Sequence, residues 1–131
     1  MTTAGDLRTR DSWLVWYGAF GAGIGWGVQF VIGLALTESH CGPLAGPQHT
    51  PGNLDTVTVV VAAVGLAVAV GAWVAAFLTW RDTRQHDDPD PPPAGRNHFL
   101  AVIGLTITPL FIAMILMTAI GTVALDPCLQ S

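Results

Sequence analysis

Three long stretches of the chain contain no charged residue and no histidine, and the charged residues are confined to the segments before, between and after them. These stretches are residues 13–36, 56–80 and 99–125. An α-helix rises about 1.5 Å per residue, so stretches of about 24 to 27 residues exceed the ~30 Å hydrocarbon core of a bilayer. The pattern therefore predicts an all-α membrane protein, with residues 1–131 forming a single domain of three transmembrane helices.

The composition agrees with a chain dissolved largely in lipid. Apolar residues make up 51% of the sequence and charged residues only 11%. A soluble domain of this size needs a larger polar surface. The formal net charge is −4 and all five basic residues are arginines scattered between apolar stretches, so no basic patch is available to neutralise nucleic-acid phosphates. Nucleic acid is therefore excluded as an expected partner.

The arginines predict how the helices are oriented in the membrane. Basic residues near a span are retained on the cytoplasmic side. The arginines precede the first span or lie in the loop 81–98, and the loop 37–55 has none: Arg8, Arg10, Arg81, Arg84 and Arg96. We expect a cytoplasmic N-terminus, an inner Pro- and Asp-rich loop 81–98, an outer loop 37–55 and an extracytoplasmic C-terminus. Aromatic rings are expected at the inner boundary: Trp13, Trp16, Tyr17 and Trp80.

Two stripes of small residues predict where helices pack together. In lipid, helices associate through close van der Waals contact and interhelical hydrogen bonds, which favours small residues at contacts. The first span presents residues of this kind, and one amide, at spacings of three and four: Gly18, Ala22, Gly25, Gln29 and Gly33. The second span carries an equivalent stripe: Ala62, Gly65, Ala69, Ala72 and Ala76.

Gln29 is the one strongly polar side chain within the spans. Its amide is expected to bond a backbone carbonyl or hydroxyl of a neighbouring helix, a contact worth about 1 kcal/mol. The alternative role for Gln29 is a contact with a bound ligand or quinone.

Helix ends and interruptions give two further predictions. Asp55 is positioned to cap the second span. Pro109 removes a backbone donor from the third span and clashes with the carbonyl of Leu105, which predicts a kink. Several hydroxyls lie on the same span, where such groups commonly re-satisfy the freed backbone atoms and are more often structural than a proton path: Thr106, Thr108, Thr118 and Thr122.

Both cysteines fall on the predicted outer side. Cys41 follows the first span and Cys128 follows the third, in the compartment where disulfides persist. A disulfide bond between them is the expected outcome. A copper or zinc site is the alternative, with Glu38, His40 and His49 as further ligands, although no ligand pair has a typical metal-site spacing. Glu38 is also a candidate for contact with a partner subunit.

The spans lack the residues that common membrane chemistries require. A b-type haem needs axial histidines, and an ion transporter usually has an intramembrane acid or base. Neither is present, and the few serine, histidine and aspartate residues are divided between the two predicted sides of the membrane. We therefore expect no enzyme activity, no cofactor and no small-molecule substrate.

Two segments resemble a known group of membrane proteins. WYGAFGAGIGWGVQFVIGLALTESHCGP and LFIAMILMTAIGTVALDPC are similar to the first and last spans of small three-span proteins encoded beside bacterial haem-copper cytochrome c oxidase subunits. The matching positions are Glu38, Cys41, Pro127 and Cys128. The resemblance implies a non-catalytic subunit in the bacterial inner membrane, whose partners are larger oxidase subunits and lipid and whose haem and copper are held by other chains.

The leading hypothesis is therefore an accessory subunit of a respiratory complex, either a cytochrome c oxidase or a supercomplex containing one. One alternative is an oxidase assembly factor or copper chaperone that uses the outer cysteines and histidines. Another is a small homo-oligomeric channel or transporter, in which Gln29 and the threonine-rich face would line the path.

Overall fold

The computed structural model describes residues 4–41, 51–84 and 94–125, with side chains described for residues 12–41, 56–84 and 95–125. The described residues form three α-helices and no strand: α1 Ala4–Cys41, α2 Pro51–Arg84 and α3 Ala94–Ala124. Each contains a segment long and apolar enough to cross a membrane, namely Ser12–Cys41, Thr56–Arg84 and Gly95–Ala124. The prediction of an all-helical protein with three candidate spans is confirmed.

The helices extend beyond the apolar stretches because backbone hydrogen bonding does not stop where the side chains become polar. α1 continues past Leu36 to Cys41, and α2 begins at Pro51. Proline is well suited to the first turn of a helix, since its missing N–H would have no intrahelical partner there. Asp55 consequently lies inside α2, so the prediction that it caps this helix is wrong.

α2 is the central element of the packing. It contacts α1 and α3 extensively, and α1 and α3 contact each other less. The buried centre is made mainly of alanines together with one larger residue: Ala22, Ala69, Ala72 and Ile115. Around this centre lie half-buried rings, including Trp26 and Phe111, whose centroids are 5.9 Å apart. An alanine-rich centre allows the close backbone approach on which helix association in lipid depends.

Candidate functional site

The closest approach of the three helices lies toward the N-terminal end of α1. A Cβ atom placed on Gly104 would lie 2.5 Å from the carbonyl oxygen of Gly18 and 3.0 Å from the Cβ of Ala76. A Cβ atom on Gly18 would lie 2.9 Å from the backbone nitrogen of Ala76. Since the obstructing atoms are largely backbone, a side chain at either glycine would force the helices apart. Gly18 and Ala76 were predicted as contact residues. Gly104 was not, although it lies at helical spacing from Ala101 and Thr108, which are buried with it.

Tyr17 joins α1 to α2 by a hydrogen bond. Its hydroxyl donates to the carbonyl oxygen of Val68 at 2.9 Å. Glycine makes room on both sides, since a Cβ atom on Gly71 would lie 2.7 Å from the hydroxyl oxygen, and one on Gly21 would lie 2.7 Å from the ring. From its place in the sequence Tyr17 is expected at the membrane boundary, but in the structure its side chain turns into the bundle. Gly21, one helical turn after Tyr17, is the sequence signal that could have indicated this.

The two small-residue stripes pack against each other. Ala69 and Ala72 are fully buried, and a Cβ atom on Gly25 would lie 3.2 Å from the Cγ1 of Val68. Gly33 behaves differently, because a Cβ atom there would meet nothing within 4 Å. The packing contact predicted for Gly33 is therefore wrong. The helices are close at Gly18 and further apart near Gly33.

Gln29 is buried where the α1–α2 contact begins to open. The side chain is only 8% exposed, and its Oε1 atom would lie 2.7 Å from a Cβ atom on Gly65. Oε1 has no hydrogen-bond partner among the described residues. The burial against α2 follows the expectation, but the carbonyl oxygen of the amide makes no interhelical hydrogen bond. A homo-oligomeric channel lined by Gln29 needs this side chain on the outside of the bundle, so its burial within one chain does not favour that alternative.

Pro109 lies inside α3, and the helix continues to Ala124. The Thr106 hydroxyl bonds the carbonyls of Val102 and Ile103, both at 3.0 Å, and not the carbonyl of Leu105 that proline frees. Thr118 and Thr122 donate to carbonyls of α3 itself. Thr108 is 1% exposed. Thr106, Thr118 and Thr122 are thus structural in the sense that their hydroxyls bond the helix backbone, and the kink stays a prediction.

The candidate metal ligands are only partly within the described residues. Glu38 is exposed near the end of α1, and the Nδ1 atom of His40 lies 3.0 Å from the carbonyl oxygen of Leu36, to which it donates. No group of three potential metal ligands occurs among the residues that the structure describes. Cys41 is not a free thiol. His49 and Cys128 lie outside the described residues, so the bond between Cys41 and Cys128 stays a prediction.

A second polar contact between helices, after that of Tyr17 with Val68, joins the end of α2 to the beginning of α3. The Oγ1 atom of Thr83 bonds the carbonyl oxygens of Thr79 and Trp80, at 2.9 and 3.1 Å, and lies 3.0 Å from the Nδ1 atom of His98. The single hydroxyl proton is used on α2, so Nδ1 of His98 is the donor in the contact from α3. Nearby, the guanidinium of Arg84 lies 5.1 Å from the ring centroid of Trp80.

These features define the class of protein, a helical multi-pass membrane protein whose described residues contain three candidate spans, held together by small-residue contacts and a few polar bonds. No family model, no curated protein and no solved structure matches the chain.

Proposed function

We propose that this chain is a non-catalytic accessory subunit of a bacterial respiratory membrane complex, either a cytochrome c oxidase or a supercomplex that contains one. It lies in the inner membrane with its N-terminus in the cytoplasm. The proposal rests on the resemblance of the first and last spans to proteins encoded beside oxidase subunits, and on the surface that the packed helices leave available to a partner.

The observation that carries the proposal is the outer surface of α1, which is apolar and rich in large side chains. Phe20 is 51% exposed, Ile24 66% and Val31 64%. On this surface Trp16 is stacked on Phe20, with ring centroids 5.4 Å apart. The exposed ring of Phe30 is stacked on the half-buried ring of Trp26, with centroids 5.5 Å apart. Stacked rings lose little further conformational freedom when they are covered, and aromatic residues are enriched at protein interfaces.

Most of the Gly and Ala stripe residues are not available to a partner, because they are used within the chain. Gly18, Ala72 and Ala76 are buried between the helices of one molecule. A larger subunit would therefore bind the outer surface of α1, with Glu38 at its end as an exposed polar contact.

Site-specific cross-linking in native membranes tests the proposal. A photoreactive residue at Ile24, which is 66% exposed on α1, should cross-link to a haem-containing subunit. The matched control is the same residue at Leu110, which is 65% exposed on α3 and should cross-link to lipid only. Mild detergent extraction, native gel electrophoresis and mass spectrometry identify the product. A chain that never migrates with haem-containing subunits, and that gives no such cross-link at Ile24, would overturn the proposal.

A further inference from the structure

A cavity of about 40 Å³ lies between the three helices, at the end where α1 and α3 finish and α2 begins. All three helices contribute to its walls, with Gln29 from α1, Thr58 from α2, and Thr118 and Thr122 from α3; the other side chains lining it are apolar. Gln29 is seven residues before Leu36, so the cavity reaches about 10 Å along the helix from the end of the predicted apolar stretch.

The two α3 hydroxyls in the wall can accept a hydrogen bond but have no proton left to donate. The Thr118 hydroxyl donates to the carbonyl of Met114 at 2.8 Å, and the Thr122 hydroxyl donates to that of Ala119 at 2.9 Å. Each oxygen keeps a lone pair. Gln29 is more than nine-tenths buried, and its Oε1 atom has no partner among the described residues. A ligand that suits these three oxygens must donate hydrogen bonds.

The size of the cavity limits the ligand to a few atoms. A buried water needs about 10–15 Å³, so about three waters fill this volume. An apolar cavity that accepts a benzene ring has a volume of about 150 Å³, so the ring of a quinone does not fit. No side chain lining the cavity is charged, which disfavours a cation, because an ion without a counter-charge is costly to bury. A neutral hydroxyl donor satisfies each of these conditions.

Oε1 reaches such a donor through a small movement of the amide. In the structure this atom is turned toward Gly65, where it forms no hydrogen bond, and the same side chain borders the cavity. The terminal torsion of glutamine has a broad energy profile, so the amide rotates at low cost. An unpaired buried carbonyl is unfavourable, and this cost favours the rotation once a donor is present.

We propose that this cavity is a binding site for a neutral hydroxyl donor, with Gln29 Oε1 as its principal acceptor and the Thr118 and Thr122 hydroxyl oxygens as secondary acceptors. The donor is either water entering from the end of the bundle or the free hydroxyl of a lipid. This site is independent of the respiratory assignment and holds whichever partner the outer surface of α1 binds.

Solid-state NMR on the full chain in phosphatidylcholine vesicles tests the proposal. With water as the probe, magnetisation should pass to the Gln29 amide and to Thr118 several-fold faster than to Ala69 and Ile115, which are buried and do not line the cavity. A second sample contains diacylglycerol with a labelled glycerol group. Contacts from that group to Gln29 would support the site with lipid as its source. If Gln29 is as isolated as Ala69 from both probes, the proposal is wrong.

Two substitutions test the role of the acceptors. Gln29→Leu removes the carbonyl at similar volume and should reduce water transfer to Thr118 several-fold. Thr118→Val removes a wall hydroxyl with little change in shape, and it should reduce transfer to Gln29 even if the first variant folds poorly. The control is Thr106→Val, an exposed threonine on the same helix that does not line the cavity. Equal transfer in all three variants and the parent chain would refute Gln29 and Thr118 as the acceptors.

Discussion

The contact between Tyr17 and Gly71 predicts an energetic coupling that a double-mutant cycle can measure. The Tyr17 hydroxyl donates to Val68 at 2.9 Å, and a Cβ atom on Gly71 would lie 2.7 Å from the same hydroxyl oxygen. The next nearest atoms to that Cβ atom, the Cζ and Cε1 of Tyr17, are at 3.7 and 3.8 Å, which is ordinary van der Waals contact. The hydroxyl oxygen is thus the one atom that obstructs alanine at residue 71.

The magnitudes follow from this geometry. Tyr17→Phe removes one interhelical hydrogen bond and should cost about 0.6 kcal/mol, with about 1.7 kcal/mol as the upper end for such bonds in membranes. Gly71→Ala in the parent chain must displace the hydroxyl and lengthen its bond to Val68, an overpacking cost of about 1–3 kcal/mol. This cost is partly offset by the better helix propensity of alanine, about 1 kcal/mol. In the Tyr17→Phe background the obstruction is absent, so Gly71→Ala should be neutral or stabilising.

The assay is equilibrium unfolding of the four proteins by SDS in detergent micelles, followed by circular dichroism under fixed redox conditions. We expect a coupling energy of about 1–2 kcal/mol, within the range measured for residues in contact. Gly121→Ala is the control for propensity, because a Cβ atom there meets nothing within 4 Å. If Gly71→Ala changes the free energy of unfolding equally in the parent chain and in the Tyr17→Phe variant, the described contact does not exist.

Two further predictions concern the closest helix contact and the two cysteines. Gly104→Ala should lower the free energy of unfolding by about 1–3 kcal/mol, since the new Cβ atom meets the Gly18 backbone. Gly121→Ala on the same helix is the control and should not lower it. The same SDS titration compares the two variants, and equal stability would contradict the close helix contact. Cys41 and Cys128 should resist an impermeant maleimide until reduction, and both should then be labelled from outside intact cells. Gel shifts of the Cys41→Ser and Cys128→Ser variants show which cysteine is labelled. Labelling from opposite sides would refute both the orientation and the bond.

The helical class of the fold and the presence of three candidate spans among the described residues were predictable from sequence alone. A stretch of more than twenty residues without charge has one stable solution in lipid, because a helix satisfies its own backbone hydrogen bonds. The stripes of Gly and Ala were also visible, since residues three and four apart share a helix face. These are properties of a single helix, so its sequence is sufficient to determine them.

Only the tertiary structure decided which of these residues meet one another and how closely. Gly33 continues the α1 stripe but lies where the helices separate, whereas Gly104, on a helix for which no stripe was predicted, lies at their closest approach. Tyr17 resembles a boundary ring in sequence, yet it turns inward because glycines on two helices leave space for it. The burial of Gln29 beside a cavity likewise depends on three helices at once. Crossing geometry sets these contacts, and the periodicity of one helix contains no information about the distance to the next.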